Sequence, residues 1–125
     1  MSETGSKPVL VVDDSLAVLT IVRSVLQQLG FERIDEARDG SEALKRLRER
    51  HYGLVISDWN MEPMTGYALL RHIRSDERLR ATPFIMMTID TDPERMVAAK
   101  RAGVDTCLIK PFSVAALREK ITSIE

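Results

Sequence analysis

The stretch Val9-Leu10-Val11-Val12-Asp13-Asp14 decides the fold. An unbroken apolar run rich in β-branched residues makes a strand buried on both faces, because a strand with one wet face would alternate. The run stops abruptly at two aspartates, and a helical pattern takes over. Leu16, Leu19, Val22, Val25, Leu26 and Leu29 fall on one side of that helix, and Gly30 stops it.

The same alternation continues along the chain. Residues 33–37 are a weaker strand candidate, and Asp39-Gly40-Ser41-Glu42 signals a helix start ahead of Ala43, Leu44 and Leu47. Leu54-Val55-Ile56-Ser57 is a second buried strand. After a loop ending near Gly66, residues 67–75 carry Leu69, Leu70 and Ile73 at helical spacing. Phe84-Ile85-Met86-Met87 is the next strand, with the methionine pair in the core. Thr91-Asp92-Pro93-Glu94 fits a capping box with proline inside the first turn, and Gly103 closes that helix. Cys107-Leu108-Ile109 is the last strand. Val114, Leu117, Ile121 and Ile124 then recur at threes and fours in a final helix capped by Ser113.

Repeated strand-then-helix units joined by short loops predict an α/β domain, a doubly wound parallel sheet with helices on both faces. Its expected extent is residues 8–125, after a polar lead-in over residues 1–7. At 125 residues the chain has the length of one domain and can bury a core without staples. Basic and acidic residues number 18 and 19 and are spread along the chain, so no basic block exists to condense on nucleic acid. The single cysteine, Cys107, excludes an internal disulfide and a cysteine-rich zinc site. Neither a signal peptide nor a membrane span is visible, and a cytoplasmic location is expected.

In sheets of this kind ligands sit at the carboxyl ends of the strands. Here those ends carry Asp13-Asp14, Asp58, Thr88 and Lys110-Pro111. Two carboxylates about 4 Å apart repel by roughly 4 kcal/mol at an effective dielectric near 20. Convergence of Asp13, Asp14 and Asp58 would therefore raise a pKa or recruit a hard cation such as Mg²⁺. Beside such an ion Asp58 becomes a nucleophile for phosphoryl transfer. Lys110 suits a phosphate or its carboxylate precursor, and the Thr88 hydroxyl can donate to a phosphoryl oxygen. Simpler readings stay open at each position: a helix start for Asp13 and Asp14, a structural ion pair for Lys110, a backbone cap for Thr88.

Taken together, Val11-Val12-Asp13-Asp14, Gly40 with Ala43-Leu44, Ile56-Ser57-Asp58-Trp59-Asn60-Met61, Met87-Thr88, Ala102-Gly103 and Lys110-Pro111-Phe112 resemble the receiver domains of two-component signalling. The stand-alone chemotaxis-type response regulators are the nearest in appearance. The resemblance implies a flavodoxin-like strand order, 2-1-3-4-5. It implies Asp58 as the phosphoacceptor and Mg²⁺ held by Asp14, Asp58 and the backbone carbonyl of Asn60, with Asp13 acting through water. Lys110 would contact the phosphoryl group, Thr88 would turn toward it, and Asn60 and Asp90 would tune dephosphorylation.

It implies, further, a sensor histidine kinase or phosphotransfer protein as donor, and a signalling switch rather than a metabolic enzyme. Output would go to a protein partner, or to a second copy through the last two helices and strand five, with neither nucleic acid nor membrane involved. Two departures stand out. Proline follows Met61 not directly but at Pro63, after Glu62; and Cys107 occupies a position that in the family is usually aromatic. The second keeps an alternative open, a degenerate receiver that acts as a phosphorylation-independent interaction module. For Cys107 itself the plain expectation is a small buried hydrophobe, and for His51 and His72 a solvated surface. A flavin carrier on the same architecture would need a phosphate loop where Asp13 and Asp14 stand. A phosphatase with an aspartyl intermediate would need a segment to enclose its substrate.

Overall fold

The computed structural model describes residues 7–124, so most of the expected lead-in lies outside the described residues. Five strands and five helices alternate strictly. In chain order they are β1 (Val9–Val12), α1 (Leu16–Gln28), β2 (Ile34–Ala37), α2 (Gly40–Glu49), β3 (Leu54–Asp58), α3 (Gly66–Ser75), β4 (Phe84–Thr88), α4 (Pro93–Ala102), β5 (Thr106–Ile109) and α5 (Val114–Ser123). The sheet runs β2-β1-β3-β4-β5 and every pairing is parallel, the strand order that the resemblance implied.

Two apolar layers hold the helices to the sheet. Leu19, Val22, Val25 and Leu26 of α1 and Leu117 and Ile121 of α5 pack on Val9, Val11, Ile56, Ile85 and Met87. Leu10, Val12, Val55, Phe84 and Met86 point the other way, onto Leu44 and Leu47 of α2, Leu69, Leu70 and Ile73 of α3, and Ala99 of α4. Successive side chains of a strand alternate between faces, which is why β1, residues 54–56 of β3 and residues 84–87 of β4 must be apolar. Each of these large side chains contributes roughly 1.5–3 kcal/mol by leaving water.

Helix ends follow local chemistry. Ser15, Asp39, Thr65 and Ser113 each accept a backbone N–H of the first turn on a side-chain oxygen. Gly103 ends α4 with φ 99°, where a Cβ would be strained, and Val104 N–H reaches back to Ala99. Some expectations are corrected. The cap of α4 is Asp92, which accepts from Glu94 N–H, and not Thr91. Leu16 is 65% exposed and Val114 48%. Both occupy the first turn of their helix, at the edge of the sheet where the apolar layer ends. Among the described residues no helix is long and apolar enough to cross a membrane.

Candidate functional site

The strand order reverses between β1 and β3, and the chain leaves β1 for α1 on one face and β3 for α3 on the other, opening a crevice at their carboxyl ends. Asp13 follows β1 and is fully buried, while Asp58 is the last residue of β3 and 7% exposed. Asp14 is exposed at the rim. One carboxylate oxygen from each of the three lies within 4.8 Å of the others. Asp13 is fixed from both sides: Oδ1 accepts the Ser15 N–H at 2.9 Å and Oδ2 accepts from Lys110 Nζ at 2.8 Å. The same ammonium lies 3.2 Å from Asp58 Oδ1.

Electrostatics sharpen the arrangement. Burial, then the neighbouring charge of Asp13, pushes the Asp58 carboxyl above its ordinary range; the charge and hydrogen bond of Lys110 oppose this without reversing it. For Lys110, burial alone would favour loss of the proton. The hydrogen bond to Asp13 and the charges of Asp13 and Asp58 outweigh it, and the ammonium is held above its usual pKa. Three carboxylates against one lysine leave excess negative charge in a crevice where two of the carboxylates are buried. That donor set fits a hard divalent cation with oxygen ligands, and among the described residues no cysteine or histidine joins the cluster to suit a softer metal. Beside it Asp14, Asn60, Met61, Glu62 and Thr65 line an open cleft of about 430 Å³.

Thr88 ends β4 and is fully buried, its Oγ1 accepting the Asp90 N–H at 3.0 Å. Asp90 in turn caps the Asp92 N–H and lies 3.3 Å from Arg95 Nε on α4. The Arg95 guanidinium stands 5.0 Å from the ring centre of Trp59, the residue after Asp58, and Trp59 stacks on Tyr67 at 5.3 Å. Cys107 is half-buried against the layer formed with α2, α3 and α4, and burial raises its thiol pKa. Met86 and Met87 are fully buried, whereas His51 and His72 are exposed. Both the Glu62–Pro63 and Lys110–Pro111 peptides are cis.

Two arginines were not legible as part of this neighbourhood. Arg38 donates from Nη2 to the Asp14 carbonyl at 2.8 Å. It follows β2 directly, so extending the inspection of strand ends to that strand would have found it. Arg95 carries no such local signal, because its partners come from two other loops.

An open α/β sheet that gathers carboxylates and a lysine at its switch point is the architecture of a signal receiver. Residues 9–122 match the model of the response regulator receiver domain, and the chain belongs to that family. It is 40% identical over 116 residues to the chemotaxis protein CheY-3 of Vibrio cholerae, covering 93% of this chain and 89% of that one. Identity to the chemotaxis protein CheY of Pseudomonas aeruginosa is also 40%, over 93% and 94% of the two chains. The solved structure of the chemotaxis response regulator CheY4 of Vibrio cholerae superposes with a TM-score of 0.88 at 33% identity, over 95% of this chain and 98% of that one. The protein is thus a CheY-type receiver, a signalling domain of two-component systems.

Proposed function

We propose that Asp58 accepts a phosphoryl group from a histidine kinase or phosphotransfer protein in a Mg²⁺-dependent reaction, and that the resulting acyl phosphate changes affinity for a protein partner. The observation that carries this is the convergence of Asp13, Asp14 and Asp58 with Lys110 bridging two of them. Asp14, Asp58 and the Asn60 carbonyl would hold Mg²⁺, Asp13 acting through water; when bound, the ion neutralises and aligns the transferring group. An Asp58 oxygen attacks phosphorus, the bond to the donor histidine nitrogen breaks, and an aspartyl phosphate forms. Lys110 offers its ammonium to a phosphoryl oxygen. Thr88 turns its hydroxyl toward the group, which biases the β4–α4 loop. Asn60 and Asp90, each two residues beyond a key position, are assigned to tuning the attack of water that later releases inorganic phosphate.

Output is assigned to the face of α4, β5 and α5, where Val97, Ile109 and Val114 are exposed, and where a partner or a second copy would dock. The domain assigned to these roles is residues 8–125, and the cytoplasm, where kinase and target are met, is its place of action. Incubation with acetyl phosphate and Mg²⁺, followed by intact mass, tests the reading. A single phosphoryl mass is expected, lost with time, absent in Asp58→Asn and absent without Mg²⁺. Stoichiometric labelling of Asp58→Asn would overturn the assignment. A wild-type chain that never gains the mass would leave a phosphorylation-independent interaction module.

A further inference from the structure

Helix α4 has the fewest buried side chains of the five helices. Ala99 is its only buried side chain, so the helix has little apolar anchorage on the sheet. What fixes its first turn is polar. Arg95 reaches back to Asp90 in the preceding loop, and its guanidinium lies over the Trp59 ring. Trp59 is 6% exposed, stacked on Tyr67, and tied by its backbone N–H to the Met87 carbonyl. It is covalently next to Asp58. Asp90, at the other end, has its N–H on the Thr88 hydroxyl. Arg95 therefore joins both sides of the acceptor site, Asp58 through Trp59 and Thr88 through Asp90, to one turn of a loosely held helix. Cys107, on β5, has a small side chain whose contacts are apolar, and the hydroxyl of Thr88 is engaged with the α4 side of the molecule.

We propose that Arg95 is the positioning residue that couples the phosphoacceptor site to α4, its contacts with Trp59 and Asp90 holding the helix in the unphosphorylated arrangement. This rests on the reading of Asp58 as phosphoacceptor. A phosphoryl group that draws the Thr88 hydroxyl inward takes away the acceptor of the Asp90 N–H. The β4–α4 loop then loosens, the Asp90–Arg95 pair separates, and Arg95 leaves the Trp59 face. An exposed ion pair and a cation–π contact are each modest, and together they are the right size for a switch that one covalent group can tip.

The test uses the full chain as wild type, Arg95→Ala and Arg95→Lys, with and without acetyl phosphate and Mg²⁺. Intact mass, Trp59 emission and hydrogen exchange of the α4 amides are followed together, and thermal unfolding checks that each variant is folded. Unphosphorylated Arg95→Ala is expected to show the emission of phosphorylated wild type and about fivefold faster exchange in α4, with little further change on labelling. Arg95→Lys, which keeps a cation at the site, should restore most of the wild-type step. Labelled Arg95→Ala that undergoes the full wild-type step in emission and exchange overturns the proposal while leaving Asp58 as acceptor. Absence of the phosphoryl mass in wild type would instead remove the reading on which it rests.

Discussion

Lys110 Nζ donates to Asp13 Oδ2 across 2.8 Å, joining residues 97 positions apart and closing the sheet's carboxyl edge from β5 to β1. The ammonium also faces Asp58 at 3.2 Å, so one cation serves two buried carboxylates. Replacing it unmasks their repulsion and removes a donor aimed at the incoming group. Lys110→Met is expected to slow labelling by acetyl phosphate about a hundredfold, the usual consequence of losing one such donor, with Lys110→Arg in between. Time courses of intact mass at fixed Mg²⁺ measure this, and a rate within about twofold of wild type would show that Lys110 is structural only.

Asp58 gives a pH signature whose sign follows from its raised pKa. The folded state binds this proton more tightly than the unfolded chain, where the ordinary value is 3.8. The stability so contributed is complete below that value and is lost as pH rises through the higher folded pKa. Asp58→Asn removes the buried charge, so without Mg²⁺ it should gain on wild type as pH climbs from acid to neutral. A higher Tm than wild type is expected for the variant at neutral pH, the advantage shrinking toward zero in acid. Parallel melting curves across that range would refute the burial account if the difference stayed flat.

Much of this architecture could be read in the chain because the period of the pattern is the fold. β1, residues 54–56 of β3 and residues 84–87 of β4 are continuously apolar since both faces are covered, and the polar residues begin only at the carboxyl ends. β2 was faint because Asp35 and Glu36 sit half-exposed on an edge strand, where burial no longer dictates residue type. Asp13, Asp14, Asp58 and Lys110 were legible as a group because each ends a strand, and parallel strands end together. Leu16 misled, since helical spacing cannot say where along a helix the apolar layer stops. The contacts of Arg95 were invisible for a different reason: they depend on the rotation of α4 about its axis, which its weak patterning leaves unspecified.

Gly66 shows how closely α3 approaches the acceptor. A Cβ there would collide with the Asp58 carbonyl oxygen and stand 3.1 Å from Met86 Sδ, and the Gly66 N–H already bonds the Trp59 carbonyl at 2.9 Å. Backbone cannot yield as a flexible side chain can. Gly66→Ala should therefore displace the end of β3 or the start of α3, costing about 2–4 kcal/mol in chemical denaturation. Because the displaced atoms belong to Asp58, labelling should fall about tenfold or more even in the fraction that stays folded. A stable variant that labels normally would show that β3 and α3 can part here without cost to the acceptor site.

Arg74 offers the contrasting case, stability without chemistry. Its guanidinium donates to the carbonyls of Gly103 at 2.9 Å, Arg80 at 3.1 Å and Thr82 at 2.6 Å, and to Asp105 at 3.1 Å. Asp105 also accepts the Phe84 N–H at 2.7 Å, so the cluster ties the end of α3 to the entrances of β4 and β5, opposite the acidic crevice. Arg74→Met leaves these carbonyls and one carboxylate short of a donor. A loss of about 2–3 kcal/mol is expected, as for other partly buried charged hydrogen bonds. Labelling of the folded protein should stay within about twofold of wild type, because no strand end that carries Asp13, Asp58 or Lys110 is touched. Denaturant titration paired with the mass time course separates the two quantities, and a labelling defect as large as that of Lys110→Met would show that the two ends of the sheet are coupled.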